Sequence, residues 1–189
     1  MAKVRSVGVF CGSRCGSRAS YRDTAARAGR EIARRGLRLV YGGGDVGLMG
    51  ECAKAAAAEG GDVLGIIPGF MIAREGHLDG VEVRIVTTMS ERKHQLIEES
   101  DAFLVLPGGT GTLEEIFDTL SRQQLALHDK PVSFVNTDGF WTPFATLVEH
   151  TVREGFTPAA LAAHLDLAET PEAAIAHLLG GTQETGEPG

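Results

Sequence analysis

Residues 102–115 read Ala-Phe-Leu-Val-Leu-Pro-Gly-Gly-Thr-Gly-Thr-Leu-Glu-Glu, and this stretch decides the fold. Ala102–Leu106 is a short, continuous apolar run, the pattern of a strand buried on both faces. Pro107 ends it, because proline has no N–H to give to a sheet ladder. A glycine-rich turn follows. From about Thr112 to Leu127 the apolar residues return at helical spacing. Leu113, Ile116, Phe117 and Leu120 fall at i, i+3, i+4 and i+7 and are predicted to form the buried seam. Buried strand, tight turn and amphipathic helix together make half of a βαβ unit.

The same alternation extends in both directions. Toward the N-terminus, strands are expected at Val4–Phe10, Leu37–Tyr41, Val63–Ile67 and Val81–Thr87. Helices are expected between them: Ser20 (as cap, with Asp23 three residues on) to Arg35, Leu48–Glu59, and from Ser90 as cap to about Ser100. Phe70–Gly80 shows no clean period and reads as a loop. Beyond residue 127, strands are expected at Val132–Val135 and Leu165–Ala168, with helices at Phe140–Glu154 and Pro158–Ala163. A last helix is capped by Thr170 with Pro171 at its first position. Phe140, Trp141 and Phe144 read as core. The basic series Arg27, Arg30, Arg34, Arg35 and Arg38 reads as a wetted face. The expected fold is α/β: a Rossmann-like, doubly wound parallel sheet of about seven strands with helices on both faces. Residues 1–180 are expected to form a single domain and 181–189 a flexible tail.

Composition narrows the function classes. The chain has 189 residues, 43% hydrophobic and 23% charged, so it has no need of a metal or disulfide staple. Lys plus Arg is 18 against 25 Asp plus Glu, a net charge of −7. That disfavours nucleic acid and anionic membranes as partners, while leaving room for a local pocket that takes one small anion. No stretch approaches the ~20 apolar residues of a membrane span. Met1–Phe10 is not patterned as a signal peptide. Three cysteines, Cys11, Cys15 and Cys52, point to a reducing, cytoplasmic location, and Cys11 with Cys15 is too sparse for a zinc site. No metal is expected.

Two glycine-rich turns stand at strand ends, where doubly wound sheets bind ligands. In the first, Gly42, Gly44 and Gly47 satisfy G-x-G-x-x-G, a pattern that by itself suggests a dinucleotide cofactor. The context disagrees. The turn follows the second strand rather than the first, and no acid ends the next strand ~20 residues on to hold a ribose. Gly42, Gly43 and Gly44 are better read as close packing or as the wall of another ligand's site. In the second turn, Gly108, Gly109 and Gly111 bare backbone amides at the start of a helix, and Thr110 and Thr112 add hydroxyls. That makes a seat for a phosphate group. The lysine of a Walker loop is missing, so magnesium-dependent hydrolysis of a nucleoside triphosphate is not expected. Glu114 and Glu115 stand beside this seat, and an acid one sugar away from a phosphate is placed to act on that sugar. Arg92 and Lys93 sit near a helix start, against the macrodipole preference, so a bound anion or a facing carboxylate should accompany them.

Taken together, Tyr-Gly-Gly-Gly-x-x-Gly-Leu-Met-Gly (41–50), Arg92-Lys93 and Pro-Gly-Gly-x-Gly-Thr-x-x-Glu (107–115) resemble the Lonely Guy family. The likeness runs from Val9–Ser13 to the last helix. The resemblance implies a phosphoribohydrolase that cleaves the N-glycosidic bond of an adenosine 5′-monophosphate, often N6-modified, to the free base and ribose 5-phosphate. It implies Arg92 and Glu115 as catalytic residues. It implies Glu75, Lys93, Gly109–Glu115 and Ser121 as lining the nucleotide site, with Ala73-Arg74-Glu75 standing where the family has Pro-Arg-Glu. It also implies a homodimer without nicotinamide cofactor or metal. Alternatives from other classes are a non-catalytic nucleotide-binding module and an NAD(P)-binding Rossmann protein. A lysine decarboxylase needs pyridoxal phosphate on a Schiff-base lysine, and none of Lys3, Lys54, Lys93 and Lys130 stands in a recognisable context for it.

Overall fold

The computed structural model describes residues 3–163 and 165–180, so the tail expected at 181–189 lies outside the described residues. Along the chain run β1 (Ser6–Phe10), α1 (Ala19–Arg34), β2 (Arg38–Tyr41), α2 (Gly47–Ala58), β3 (Val63–Pro68), α3 (Gly69–Glu75), β4 (Glu82–Val86) and α4 (Met89–Glu98). Then follow β5 (Ala102–Val105), α5 (Thr110–Gln124), β6 (Val132–Val135), a 3-10 turn (Thr137–Gly139), α6 (Thr142–Arg153), α7 (Ala159–Ala163), β7 (Asp166–Ala168) and α8 (Pro171–Leu178).

The strands form one seven-stranded sheet in the order β4-β3-β2-β1-β5-β6-β7. Every pairing is parallel; Val7 of β1, for example, sits beside Leu39 of β2 and Ala102 of β5. The central strands are apolar along their whole length because both faces are covered. On one face, Ala25, Ala28 and Ile32 of α1, Leu48, Ala53 and Ala56 of α2, and Ile175 and Leu178 of α8 form one core. On the other, Leu96 and Ile97 of α4, Ile116 and Leu120 of α5, and Phe144 and Val148 of α6 form a second. No helix among the described residues is long and apolar enough to cross a membrane.

The expected alternation of strands and helices holds, with local corrections. The segment read as a loop, 70–80, begins within α3; a helix of seven residues is too short to display a period. Ser20 does not cap α1, which begins one residue earlier after Arg18; its hydroxyl donates to Asp138 Oδ2 at 2.7 Å instead. α4 is capped by Thr88 rather than Ser90. α5 starts two residues early, at Thr110. Phe117 is not buried but 46% exposed, and Thr112 and Thr119 take part of the inner stripe of α5. Trp141 and Phe144 are core, whereas Phe140 is only half-buried. Four members of the basic series are paired: Arg27 with Glu172, Arg34 with Glu59, Arg35 with Glu31, and Arg38 with Glu82.

Candidate active site

The chain runs outward from β1 through β2, β3 and β4, then returns to β5 on the other flank of β1. At such a reversal the loops after the two neighbouring strands diverge and leave a crevice at their carboxyl ends. Here the crevice is a cavity of about 720 Å³. Its walls are the loop Cys11–Gly16 after β1, Pro107–Thr112 and Glu115 after β5, Arg74 and Glu75 on α3, and Arg92 on α4. Met49, Met71, Met89, Tyr21 and Phe140 supply apolar surface. The two central loops are tied together where the Gly12 N–H donates to Pro107 O at 3.0 Å.

One part of the cavity wall is an uncapped helix start. α5 has Gly109 as its N-cap and no side-chain cap. The first amide to find a helical acceptor is that of Leu113, which donates to Gly109 O at 3.0 Å. Helix geometry leaves the amides of Thr110, Gly111 and Thr112 without an internal acceptor, at the positive end of the macrodipole. The space before them is open: a Cβ built on Gly109 or Gly111 meets nothing within 4 Å.

The other functional feature is a buried ion pair. The hydroxyl of Thr88 accepts the Glu91 N–H at 3.1 Å and Glu91 Oε2 accepts the Thr87 N–H at 2.9 Å, which fixes the start of α4. This start moves Arg92 to the end of the first turn and turns it inward. Its Nε donates to Ile66 O at 3.2 Å and its Nη2 to Gly42 O at 3.1 Å. Nη2 also stands 3.9 Å from Glu115 Oε1, with the two side chains only 7% and 13% exposed. The guanidinium lies so close over Gly42 that a Cβ there would be 2.0 Å from Nη2. The first glycine turn is therefore the seat of an arginine, and the place a cofactor's pyrophosphate would need is filled.

Burial disfavours the charged form of Glu115 and outweighs the attraction of Arg92, so its pKa is raised to about 7. Glu114 and Glu75 push it in the same direction, while Lys93 opposes them. Glu75, the last residue of α3, is 4% exposed; its Oε1 accepts from Arg74 Nη2 at 2.9 Å. Its other carboxylate oxygen is buried with no partner. A buried acceptor left open in a cavity wall is one that a ligand donor can satisfy.

Of the residues singled out in the sequence, Arg92, Glu115, Glu75 and Gly108–Thr112 line this one cavity. Gly42, Gly43 and Gly44 stand behind it; a Cβ on Gly44 would lie 3.1 Å from Glu75 Oε2. Lys93 is outside, paired with Glu114 at 2.6 Å, so it has the facing carboxylate its position called for. Ser121 is exposed on α5 and is not among the lining residues. Sequence reasoning missed the loop Cys11–Gly16. The signal was available only through strand order, since the loop after β1 matters because β5 returns beside it. Among the described residues no group of three or more His, Cys, Asp or Glu is placed to hold a metal ion. Among the described residues no lysine lines the cavity, so a pyridoxal Schiff base has no candidate there.

Fold and cavity define a Rossmann-type protein whose crevice holds a buried arginine–glutamate pair and an uncapped helix N-terminus. Comparison with known proteins gives the family. A family profile described as “Possible lysine decarboxylase” matches residues 49–178. The chain is 45% identical over 156 residues to the “Cytokinin riboside 5′-monophosphate phosphoribohydrolase LOG” of Oryza sativa subsp. japonica, covering 82% of this chain and 64% of that protein. It is 45% identical over 157 residues to a cytokinin riboside 5′-monophosphate phosphoribohydrolase of Arabidopsis thaliana, covering 82% and 73%. It thus spans about two thirds of the length of the rice protein and somewhat more of the other. Among solved structures, the molybdenum cofactor carrier protein of Chlamydomonas reinhardtii has the same fold at 23% identity, with a TM-score of 0.71 over 93% of this chain and 98% of that one. The chain belongs to the Lonely Guy family of phosphoribohydrolases.

Proposed function

We propose that the chain hydrolyses the N-glycosidic bond of an adenosine 5′-monophosphate carrying an N6 substituent, releasing the free base and ribose 5-phosphate. The observation that carries this reading is that a buried carboxylate, Glu115, and an open helix N-terminus share one cavity of about 720 Å³, a volume suited to a small-molecule ligand. The names of the relatives supply the base, a cytokinin.

The phosphate binds the amides of Thr110, Gly111 and Thr112, and this remote contact positions the ribose. The C1′–N9 bond breaks with its electron pair leaving on the base, and C1′ takes on oxocarbenium-like positive charge. Glu115, as the carboxylate, stabilises that charge and takes a proton from the water whose oxygen bonds to C1′. The departing base takes up a proton from solvent at its own nitrogen, and Glu115 returns to solvent the proton it took from the attacking water, which restores the carboxylate. Arg92, anchored to two carbonyls, orients Glu115 and supports its ionised form. Glu75 offers its open oxygen to a substrate N–H or O–H. The protein acts as a homodimer in the cytoplasm. Phe117, Leu125, Leu127, Leu147 and Phe156, on and just beyond α5 and α6, are exposed apolar residues that a second copy would cover. The free thiols Cys11, Cys15 and Cys52 suit a reducing compartment.

The test is to incubate the protein with AMP and with N6-isopentenyl-AMP and to look for free base by chromatography. Glu115→Gln is expected to fold and to bind AMP without releasing base. Near-normal turnover in that variant would reduce Glu115 to a helix-end charge and remove it from the mechanism.

A further inference from the structure

Three guanidinium groups and two carboxylates line the cavity: Arg14, Arg74, Arg92, Glu75 and Glu115. Four of them are committed. Arg74 is paired with Glu75 at 2.9 Å, and Arg92 is pinned to two carbonyls beside Glu115. Arg14 has no carboxylate partner among the described residues, although the exposed arginines around it, Arg18 and Arg22, each have one. It therefore carries the excess positive charge of a cavity whose other charges cancel, in a chain of net charge −7.

Its position matches that charge to the anion seat. Arg14 lies on the loop between β1 and α1, and that loop is fastened to the turn that opens α5. The Gly12 N–H donates to Pro107 O at 3.0 Å, and a Cβ on Gly12 would lie 3.1 Å from Arg14 O and 3.4 Å from Gly108 Cα. So Gly12, two residues before Arg14, packs against the base of the turn that opens α5, while the Ser13–Arg14 peptide lies on Gly47 at the start of α2, and Arg14 lines the same cavity as the open amides. Those amides amount to about half a positive charge, short of what a phosphate monoester dianion needs. A guanidinium can supply the rest with two parallel N–H donors.

We infer that Arg14 is the second arm of the 5′-phosphate seat: it closes over the phosphate from the β1–α1 loop and sets the preference for nucleotide over nucleoside. This rests on the hydrolase reading above and adds a specificity-determining residue to it. The experiment compares wild type, Arg14→Ala and Arg14→Lys in kcat/KM for AMP and for adenosine. It also compares the rise in melting temperature that inorganic phosphate confers on each. Arg14→Ala is expected to lose on the order of tenfold in kcat/KM for AMP, mostly through KM, with adenosine unchanged and phosphate protection reduced. Arg14→Lys should fall between, since an ammonium keeps the charge but not the fork. An unchanged ratio of AMP to adenosine, or equal protection by phosphate in wild type and Arg14→Ala, overturns the assignment. If the wild type cleaves neither compound, the hydrolase reading fails while phosphate protection still decides the role of Arg14.

Discussion

Glu115 is held between burial, which favours its neutral form, and Arg92, which favours its charged form, and burial prevails to leave a pKa of about 7. Two outcomes follow from that value. If the carboxylate form is the working one, kcat/KM for AMP should rise with pH and level off above an apparent pKa near 7, a limb read from a pH–rate profile. Stability should run the other way. Between the ordinary value of 4.5 and the folded value of about 7, the native chain holds a proton that the unfolded chain has released. Stability therefore falls as pH rises across that window. Glu115→Gln escapes this loss, so it should be more stable than wild type at pH 8, by about 3 kcal/mol, and equal to it near pH 4. Denaturant titrations at the two pH values check this. The neighbouring Gly42 gives a separate test of Arg92. A methyl at Gly42 would stand 2.0 Å from the guanidinium, the far end of a flexible side chain that can swing away. Gly42→Ala should thus keep most of its melting temperature while turnover falls by orders of magnitude, as in Arg92→Ala. Full activity in Gly42→Ala would show that Arg92 does not need its two carbonyl anchors.

At the scale of elements, α4 and α5 deliver the site, and each depends on how it begins. α4 is set by two hydrogen bonds, Glu91 N–H to the Thr88 hydroxyl and Thr87 N–H to Glu91 Oε2, which fix the rotation that points Arg92 inward and Lys93 outward to Glu114. Thr88→Ala should cost about 1 kcal/mol in denaturant unfolding and lower activity, since a frayed first turn loosens Arg92. α5 begins without a side-chain cap, leaving its amides for a ligand. This scale also shows why sequence reading slipped by a residue or two. Ser20 and Ser90 are both good cap types. Which hydroxyl reaches a backbone N–H depends on where the preceding loop delivers the chain, and Asp138, far along the chain, claims Ser20. α3 escaped notice because seven residues make too few turns to show a period. Phe117 satisfied the helical spacing of a buried seam, but the buried stripe of α5 runs through Thr112, Ile116, Thr119 and Leu120, and Phe117 stands beside it against Phe144 of α6.

For the molecule as a whole, the exposed apolar residues on the α5 and α6 side predict association. Phe117 packs edge-on against Phe144 of α6, one helical turn before the exposed Leu147, so these two elements present a shared apolar surface. Sedimentation should show a dimer, and Phe117→Asp with Leu147→Asp should give a folded monomer; a wild-type monomer at micromolar concentration would leave those residues without a role. The alternation of buried strands and amphipathic helices was legible in the sequence because a continuous apolar run of strand length and a 3.6-residue period are local properties, and the glycine turn before α5 and the residues Arg92 and Glu115 could be singled out as candidates because each lies within one strand–turn–helix. What only the tertiary structure decided was the company these residues keep. Strand order places β5 beside β1, and that adjacency creates the crevice and brings the β1–α1 loop beside the turn that opens α5, while α4, packed over β3, lays Arg92 on Ile66 and Gly42 and makes a cofactor-like motif the seat of an arginine. Burial, too, is a property of the assembled layers: nothing within Leu113–Ile116 tells that Glu115 will be dry enough for its pKa to reach about 7. The physical reason is one of range. Periodicity and turn chemistry act over a few residues, whereas desolvation and ion pairing depend on atoms that the chain brings together from tens of residues apart.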